Sequence, residues 1–352
     1  MNPDFQRRLG EATRLVRSGS LMEATAAIQQ ALAVRPSTTS AAPPRHDADV
    51  IDVEARVIPD EGSPGETAPR RAQESFATGH FRNECGGRDY KLFEPAREDG
   101  RPLPLVVMLH GCTQDPDDFA RGTRMNALAR AQGFLVLYPS QSQRANAQRC
   151  WNWFKHNHQA RGKGEPAILA GMVREVMATH GVDPARVYVA GLSAGGAMAA
   201  ILGDAYPDLF AAIGVHSGLP TGSARDVQSA FAAMSGGAQP PRRAAAQGPT
   251  PPTIVFHGDA DNTVAVVNGE RVLEAAGLSA RPGKTRGASP QGVAYSRGVY
   301  VDAQGAERAE QWTIHGAGHA WSGGDAAGSY TDPRGPDASV EMLRFFLQHP
   351  KA

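Results

Sequence analysis

The sequence predicts an α/β fold with a mainly parallel, doubly wound sheet. Apolar strands alternate with helices along most of the chain, which is the pattern of parallel strands joined by helical crossovers. Residues 105–109 and 134–138 are apolar at every position, which indicates strands covered on both faces. These runs are far too short to span a bilayer. They therefore predict the strands of a buried core.

The charge balance and the cysteine content argue against several classes of protein. Basic and acidic side chains number 36 each, so no charge excess favours nucleic acid or an anionic membrane as a partner. Cys85, Cys112 and Cys150 are too few for a disulfide framework, and no C-x-x-C pair indicates zinc or redox chemistry. We expect no cofactor and no metal. The first residues lack the pattern of a secretory signal, which predicts a cytoplasmic location.

The chain divides into three predicted parts. Residues 1–35 carry apolar side chains at roughly helical spacing, interrupted at 18–20, and predict a helical hairpin. This appendage is expected to pack on the main domain or on a second subunit, or alternatively to contact a partner or an apolar polymer surface. Residues 36–75 are poor in apolar side chains and predict a disordered linker. Residues 76–352 form the predicted main domain.

The elements of the main domain follow from apolar runs and their periodicity. We predict strands at 88–95, 103–110, 134–139, 186–191, 210–216 and 253–257, and helices at 125–132, 165–180 and 337–349. Residues 221–252 are rich in Ala, Gly, Ser and Pro and predict a mobile loop or a lid.

Ser193 occupies a Gly-x-Ser-x-Gly motif at the end of a predicted strand. Gly191 and Gly195 flank it, and a helix of small residues follows. In a nucleophile elbow both glycines are needed, because a Cβ there would collide with the crossing backbone. The motif alone often marks only a glycine-rich turn, but this strand-to-helix setting favours Ser193 as a nucleophile.

A serine nucleophile needs a base and an acid, which in this arrangement follow it along the chain in the order acid, then histidine. Asp259 and Asp261 both follow the strand at 253–257. We favour Asp261 as the acid because it lies past the strand end, whereas Asp259 is typical of a turn former. His319, flanked by small residues near the C-terminus, is the predicted base, and His315 is predicted to make a structural hydrogen bond. No Glu follows His315, and the glycines between the two histidines disfavour a zinc-binding helix.

Two backbone N–H groups must stabilise the tetrahedral intermediate. We predict that Ala194 and Cys112 supply them. Trp151 and Trp153 lie in an aromatic stretch without helical or strand periodicity. They form either a wall of the substrate pocket or an anchor for a loop. Trp321, two residues after the predicted base, is also expected to contact the substrate.

From about residue 76 onward the chain resembles the polyhydroxybutyrate depolymerase family of serine esterases, which is close to the feruloyl and acetylxylan esterases. The resemblance rests on seven stretches, at residues 109–114, 150–154, 161–166, 191–196, 257–261, 316–324 and 330–339. It implies an α/β-hydrolase fold.

The resemblance also implies roles for individual residues. Ser193 would be the nucleophile, Asp261 the acid and His319 the base. Cys112 and Cys150 would lie near each other beside the site, either as a disulfide or as two buried thiols.

The function expected from the resemblance is a serine ester hydrolase that forms an acyl-enzyme. Its substrates would be short-chain hydroxyalkanoate esters or polyester oligomers. The alternative within the enzyme class is a feruloyl- or acetylxylan-type esterase for small aryl or acetyl esters. An alternative of another class is a non-catalytic polymer- or granule-binding protein that uses residues 1–35.

Overall fold

The computed structural model describes residues 73–97, 100–236, 250–278, 283–302 and 304–351. The elements and contacts given below lie within these residues. The helical hairpin predicted at 1–35 lies outside them, as does nearly all of the linker predicted at 36–75. The first described strand begins at Ser75.

Ten strands of the described residues form one sheet. They are β1 Ser75–Asn83, β2 Gly86–Glu94, β3 Leu103–Leu109, β4 Leu135–Pro139, β5 Val182–Leu192, β6 Ala212–His216, β7 Thr253–Gly258, β8 Lys284–Ala288, β9 Ala294–Val301 and β10 Glu307–Ile314. Their order across the sheet is β1-β2-β4-β3-β5-β6-β7-β10-β9-β8. The central strands from β4 to β10 are parallel, whereas β1–β2 and β8–β9 are antiparallel additions at the two edges. A separate short pair is formed by β11 Trp321–Ser322 and β12 Thr331–Asp332.

Seven α-helices are described. They are α1 Pro116–Thr123, α2 Met125–Gln132, α3 Gly164–Thr179, α4 Ala194–Ala205, α5 Val227–Met234, α6 Val267–Ala275 and α7 Ala338–Gln348. The bounds of α2 agree with the sequence prediction, and α3 and α7 differ from it by one residue at each end. The short helix α1 was not predicted; its N-terminus is capped by Asp115, whose side chain accepts a hydrogen bond from Asp118 N.

The sheet separates two apolar cores, and the alternation of side chains along β3 shows why. Leu105, Val107 and Leu109 pack on the face covered by α3 and α4. Val106 and Met108 point the other way, into the core that includes side chains of α1, α2 and α7. A central strand with both faces buried must be apolar at every position, which confirms the predicted class of sheet.

The segment predicted to be a mobile loop or lid contains regular structure. Residues 227–234 form α5, which begins with a capping box between Asp226 and Ser229. Ala230 and Ala233 pack into the core beside α3 and α4. The sequence analysis did not predict this helix, although alanines serve well as the buried face of a short helix. The mobile loop or lid stays a prediction. Residues 237–249 lie outside the described residues.

No helix in the described part of the chain is both long enough and apolar enough to cross a membrane.

Candidate active site

Ser193 lies at a sharp turn between β5 and α4. Its φ of 57° is in the left-handed region, which is unusual for a residue with a side chain. A Cβ built on Gly191 would overlap the carbonyl group of Gly195, and one built on Gly195 would overlap the carbonyl oxygen of Leu109. Only glycine fits at both positions. The backbone therefore has the geometry predicted for a nucleophile elbow, with Ser193 partly exposed.

Asp261 and His319 form a hydrogen-bonded pair. Nδ1 of His319 donates to Oδ2 of Asp261 at 2.6 Å, and the Asp261 side chain has no exposed surface. The other carboxylate oxygen of Asp261, Oδ1, accepts hydrogen bonds from the backbone N–H groups of Thr263 and Val264, each at 2.8 Å. Both carboxylate oxygens of Asp261 therefore accept hydrogen bonds, Oδ2 from His319 and Oδ1 from the backbone.

Electrostatics keep Asp261 ionised. Burial alone would raise its pKa, but the His257 ring, 3.5 Å away, and hydrogen bonds from His319 and the Val264 amide hold the pKa of Asp261 far below its ordinary value. An ionised carboxylate on Nδ1 leaves Nε2 of His319 as the nitrogen that can take up a proton. The arrangement can therefore support a general base.

Asp259 pairs with the other histidine of the two loops. It accepts from Nδ1 of His315 at 2.8 Å and from Gly316 N at 2.6 Å. Ser296 Oγ lies 2.9 Å from Nε2 of His315. The structure thus assigns Asp261 to His319 and Asp259 to His315, and the structural hydrogen bond predicted for His315 is present.

His216 connects the elbow to the loop that carries His319, and sequence reasoning did not identify it. Its backbone oxygen accepts from Ser193 N at 2.9 Å, and its ring nitrogen Nε2 accepts from Ser322 N at 3.0 Å. The ring is stacked between Phe256 and Trp321. Burial lowers the pKa of His216 to about 3, so the ring stays neutral and remains an acceptor.

The loop after β3 approaches Ser193 from the other side. A Cβ built on Gly111 would lie 3.7 Å from the Cβ of Ser193. The side chain of Gln114 accepts from Gly111 N at 2.9 Å and donates to Ser329 O at 3.0 Å, which holds the loop in place. Within the described residues, the N–H of Cys112 meets no protein acceptor. This amide is therefore available to a ligand.

Cys112 and Cys150 form a disulfide with a Cα–Cα distance of 4.2 Å. Of the two arrangements left open by the sequence, the structure has the disulfide. It ties the loop after β3 to the aromatic stretch at 150–154. Cys85 is a free thiol, partly buried.

A buried carboxylate beneath this stretch was also missed. Glu165, at the start of α3, has no exposed surface and accepts from Arg88, Gln141 and the backbone and side-chain nitrogens of Asn152. Burial would raise its pKa, but the nearby His158 ring, 3.7 Å from Oε2, and hydrogen bonds from Gln141 and Asn152 hold the pKa of Glu165 below its ordinary value. The stretches at 150–154 and 161–166 contain Asn152 and Glu165, but nothing in the sequence shows that these two residues meet.

The expectation that Trp151 and Trp321 contact substrate is wrong. Both side chains are fully buried. The indole N–H of Trp151 donates to His110 O at 3.1 Å, and that of Trp321 donates to Ser339 Oγ at 3.0 Å. They anchor loops to the core, because a buried indole must find an acceptor for its N–H. Trp153 is nearly buried, at 6% exposure, and its contact with substrate stays a prediction.

Comparison with known proteins gives a consistent result. A family model described as esterase PHB depolymerase matches residues 88–280. The chain is 35% identical over 226 residues to poly(3-hydroxyalkanoate) depolymerase C of Paucimonas lemoignei. The matched region is 61% of this chain and 54% of that protein. This chain is also 34% identical over 140 residues to feruloyl esterase B of Thermothelomyces thermophilus. The matched region is 40% of this chain and 47% of that protein.

Among solved structures, an acetyl xylan esterase from Aspergillus awamori matches with a TM-score of 0.57 and 22% identity, over 69% of this chain and 94% of that one. This likeness shows the α/β-hydrolase fold. The chain spans about half the length of the curated relatives it matches.

Proposed function

Since the chain belongs to the esterase PHB depolymerase family, we propose that it is a serine ester hydrolase that works through an acyl-enzyme. The observation that carries the proposal is the hydrogen bond from His319 to the buried, ionised Asp261. A carboxylate–imidazole pair of this kind is what a serine at an elbow requires for activation.

The proposed reaction begins with attack of Ser193 Oγ on the ester carbonyl. His319 takes the hydroxyl proton on Nε2 and returns it to the leaving alcohol. Asp261 stabilises the imidazolium that forms in between. The backbone N–H groups of Cys112 and Ala194 hold the oxyanion. Water, deprotonated by His319, then attacks the acyl carbon, and the bond to Ser193 Oγ breaks. His319 returns the proton to Ser193 Oγ, and the acyl group leaves as the carboxylic acid.

For the substrate, we propose short-chain hydroxyalkanoate esters or their oligomers. The support is the identity to a poly(3-hydroxyalkanoate) depolymerase over 61% of the chain. A second candidate is a small aryl or acetyl ester, favoured by the identity to a feruloyl esterase over 40% of the chain. The ester class is common to both candidates.

The test is a substrate panel with purified protein. Wild-type protein, Ser193→Ala and Ser296→Ala are compared on hydroxybutyrate oligomers, a feruloyl ester and acetylated xylan. We expect Ser193→Ala to lose hydrolysis of each ester that the wild type cleaves, and Ser296→Ala to retain at least part of it. Retention of most activity in Ser193→Ala would contradict the proposal. The relative turnover of the hydroxybutyrate oligomers, the feruloyl ester and acetylated xylan distinguishes the two substrate classes.

Contact of residues 1–35 with a polymer, a granule or a second copy stays a prediction from the sequence alone. Loss of binding to polymer granules on deletion of residues 1–35, with the binding unchanged in Ser193→Ala, would support it.

A further inference from the structure

A surface groove next to the loop of Cys112 carries more positive than negative charge. It is lined by residues of β1 and β2, by the loop after β4 and by the start of α1, and its cavity volume is about 860 Å³. This lies within the range of small-molecule sites, about 300–1,000 Å³. Five arginine and lysine side chains line the groove against three aspartates. A concave surface with this balance favours an anionic ligand.

Each of the three aspartates in the groove already has a partner. Asp89 accepts from His80 at 2.6 Å, and Asp117 accepts from Lys91 at 2.5 Å. The third, Asp115, caps α1. Lys91 neutralises Asp117, whereas Asp89 and Asp115 keep their negative charge. The three arginines described next outnumber these two carboxylates by one.

The remaining positive charge comes from three arginines. Arg82 and Arg144 are exposed, and within the described residues neither guanidinium forms an ion pair. Among the described residues, Arg149 has one ion pair, a long contact of 3.5 Å with Asp115. By contrast, Arg88 is already bound to the buried Glu165 below the groove. A free guanidinium is well suited to pair with a carboxylate through two parallel hydrogen bonds.

Arg149 brings the lining of the groove near the loop of Cys112. This residue directly precedes Cys150, whose Cα lies 4.2 Å from that of Cys112. Because consecutive Cα atoms are 3.8 Å apart, the Cα atoms of Arg149 and Cys112 are separated by at most about 8 Å. Arg149 also has a φ of 52°, a strained conformation that the surrounding structure must hold in place. The backbone of one groove-lining residue therefore lies near the proposed oxyanion donor.

We propose that this groove binds a carboxylate carried by the ester substrate, as at the free acid end of a hydroxyalkanoate oligomer, through Arg82, Arg144 and Arg149. The inference rests on the proposed function and narrows its substrate to esters with an acidic end. An oligomer of a hydroxy acid has one free carboxylate and carries its ester bonds along the chain behind it. Binding of that carboxylate in the groove would hold the chain across the loop of Cys112 toward Ser193.

The kinetic test compares two trimers of 3-hydroxybutyrate, one with a free terminal carboxylate and one with a terminal carboxamide. In the double variant Arg82→Gln/Arg144→Gln we expect kcat/KM for the acid trimer to fall about fivefold, since two exposed ion pairs are removed. The carboxamide trimer should be cleaved as by the wild type. Arg286→Gln is the matched control, because Arg286 is an exposed arginine on β8, at the opposite edge of the sheet.

Raising the salt concentration should reduce the wild-type preference for the acid trimer, since exposed charges are screened. An equal loss on both trimers in the double variant would overturn the proposal, because it would indicate damage to the fold or to the reaction centre. No loss on the acid trimer, or the same loss in Arg286→Gln, would also overturn it.

Equilibrium binding separates failure of the groove from failure of the proposed function. Titration calorimetry with Ser193→Ala should show tighter binding of the acid trimer than of the carboxamide trimer, and the difference should disappear when Arg82 and Arg144 are also replaced. Equal affinity for the two trimers would contradict the proposal that the groove binds the terminal carboxylate. The proposed function fails separately, if wild-type protein hydrolyses neither trimer nor any other ester of the panel.

Discussion

Asp259 and His315 are joined by a hydrogen bond of 2.8 Å that connects the same two loops as the bond between Asp261 and His319. Asp259 N also donates to Ile314 O, and Ala260 N to Ala317 O. The loop after β7 and the loop after β10 are therefore held together at several points. The proposed acid and base lie within this connected region.

Loss of the Asp259–His315 pair should disturb catalysis without removing a reacting group. We expect Asp259→Asn to lower kcat by about tenfold and to leave KM nearly unchanged, since a small displacement of the base weakens proton transfer more than ground-state binding. Steady-state kinetics on a neutral ester measure this. His315→Gln should reproduce the effect, and an unchanged kcat in both variants would show that the pair does not position His319.

Asp261→Asn should be far more damaging than Asp259→Asn. The amide keeps the shape of the side chain but removes the charge that stabilises the imidazolium, and it disfavours the required tautomer of His319. We expect kcat to fall by about a thousandfold or more. A milder loss in Asp261→Asn than in Asp259→Asn would reverse the assignment of the acid.

Stability should fall as the pH is lowered from 7 toward 4, because two buried histidines stay neutral in the fold. Burial lowers the pKa of His110 to about 4 and that of His216 to about 3. In the unfolded chain both titrate near pH 6.5, so below that pH the unfolded state binds more protons than the folded state. Each histidine should then reduce the free energy of unfolding by about 1.4 kcal/mol per pH unit.

Urea unfolding at pH 7, 6 and 5 measures this slope. His110→Gln should make the slope shallower by the contribution of one histidine, and His156→Gln, at an exposed histidine, should leave the slope unchanged.

Asp261 contributes to stability over a different pH range. Its pKa is lowered in the fold, so its stabilising effect is complete above about pH 4 and is lost only at lower pH. A slope that is the same in His110→Gln and in the wild type would contradict the burial argument.

The Cys112–Cys150 disulfide should stabilise the fold. It closes a loop of 38 residues, for which the chain-entropy model gives about 4 kcal/mol. We expect Cys112→Ala/Cys150→Ala to lower the free energy of unfolding by about this amount, whereas Cys85→Ala, at the free thiol, should have a small effect. Equal stability of wild-type protein with and without a reductant would contradict this.

The disulfide also bears on location. Cytosolic proteins rarely keep structural disulfides, so the cytoplasmic location expected from the first residues stays a prediction against which the disulfide weighs. Thiol titration of unfolded protein isolated from its native cells tests it directly. Three free thiols would favour the cytoplasm, and one would favour an oxidising compartment.

Local patterns in the sequence were sufficient to predict the turn at Ser193 and the pairing of Asp261 with His319. The glycines around Ser193 and the strand ends before Asp261 and His319 are short-range features that can be read along the chain. The parallel centre of the sheet was predicted for the same reason, because strands buried on both faces are apolar throughout.

Contacts between distant parts of the chain could not be predicted from such local patterns. His216 holds Ser322 across 106 residues, and Glu165 meets Arg88 across 77, with no local periodicity that marks either pair. Trp151 was misassigned because an aromatic cluster looks alike in sequence whether it lines a pocket or anchors a loop. The antiparallel edges of the sheet are partly exposed strands, whose mixed composition is a weaker signal than that of the central ones.

Ser296, His315 and Asp259 are connected in the same order as a catalytic triad, which allows a direct test of the central claim. Ser296 lies within β9, nearly buried and paired with strands on both sides, and has no elbow to present its hydroxyl. The decisive measurement is labelling with a fluorophosphonate followed by peptide mapping. We expect one adduct per chain, on Ser193, and none in Ser193→Ala. An adduct on Ser296 or elsewhere, or an unlabelled Ser193 in active protein, would contradict the assignment of Ser193 as the nucleophile.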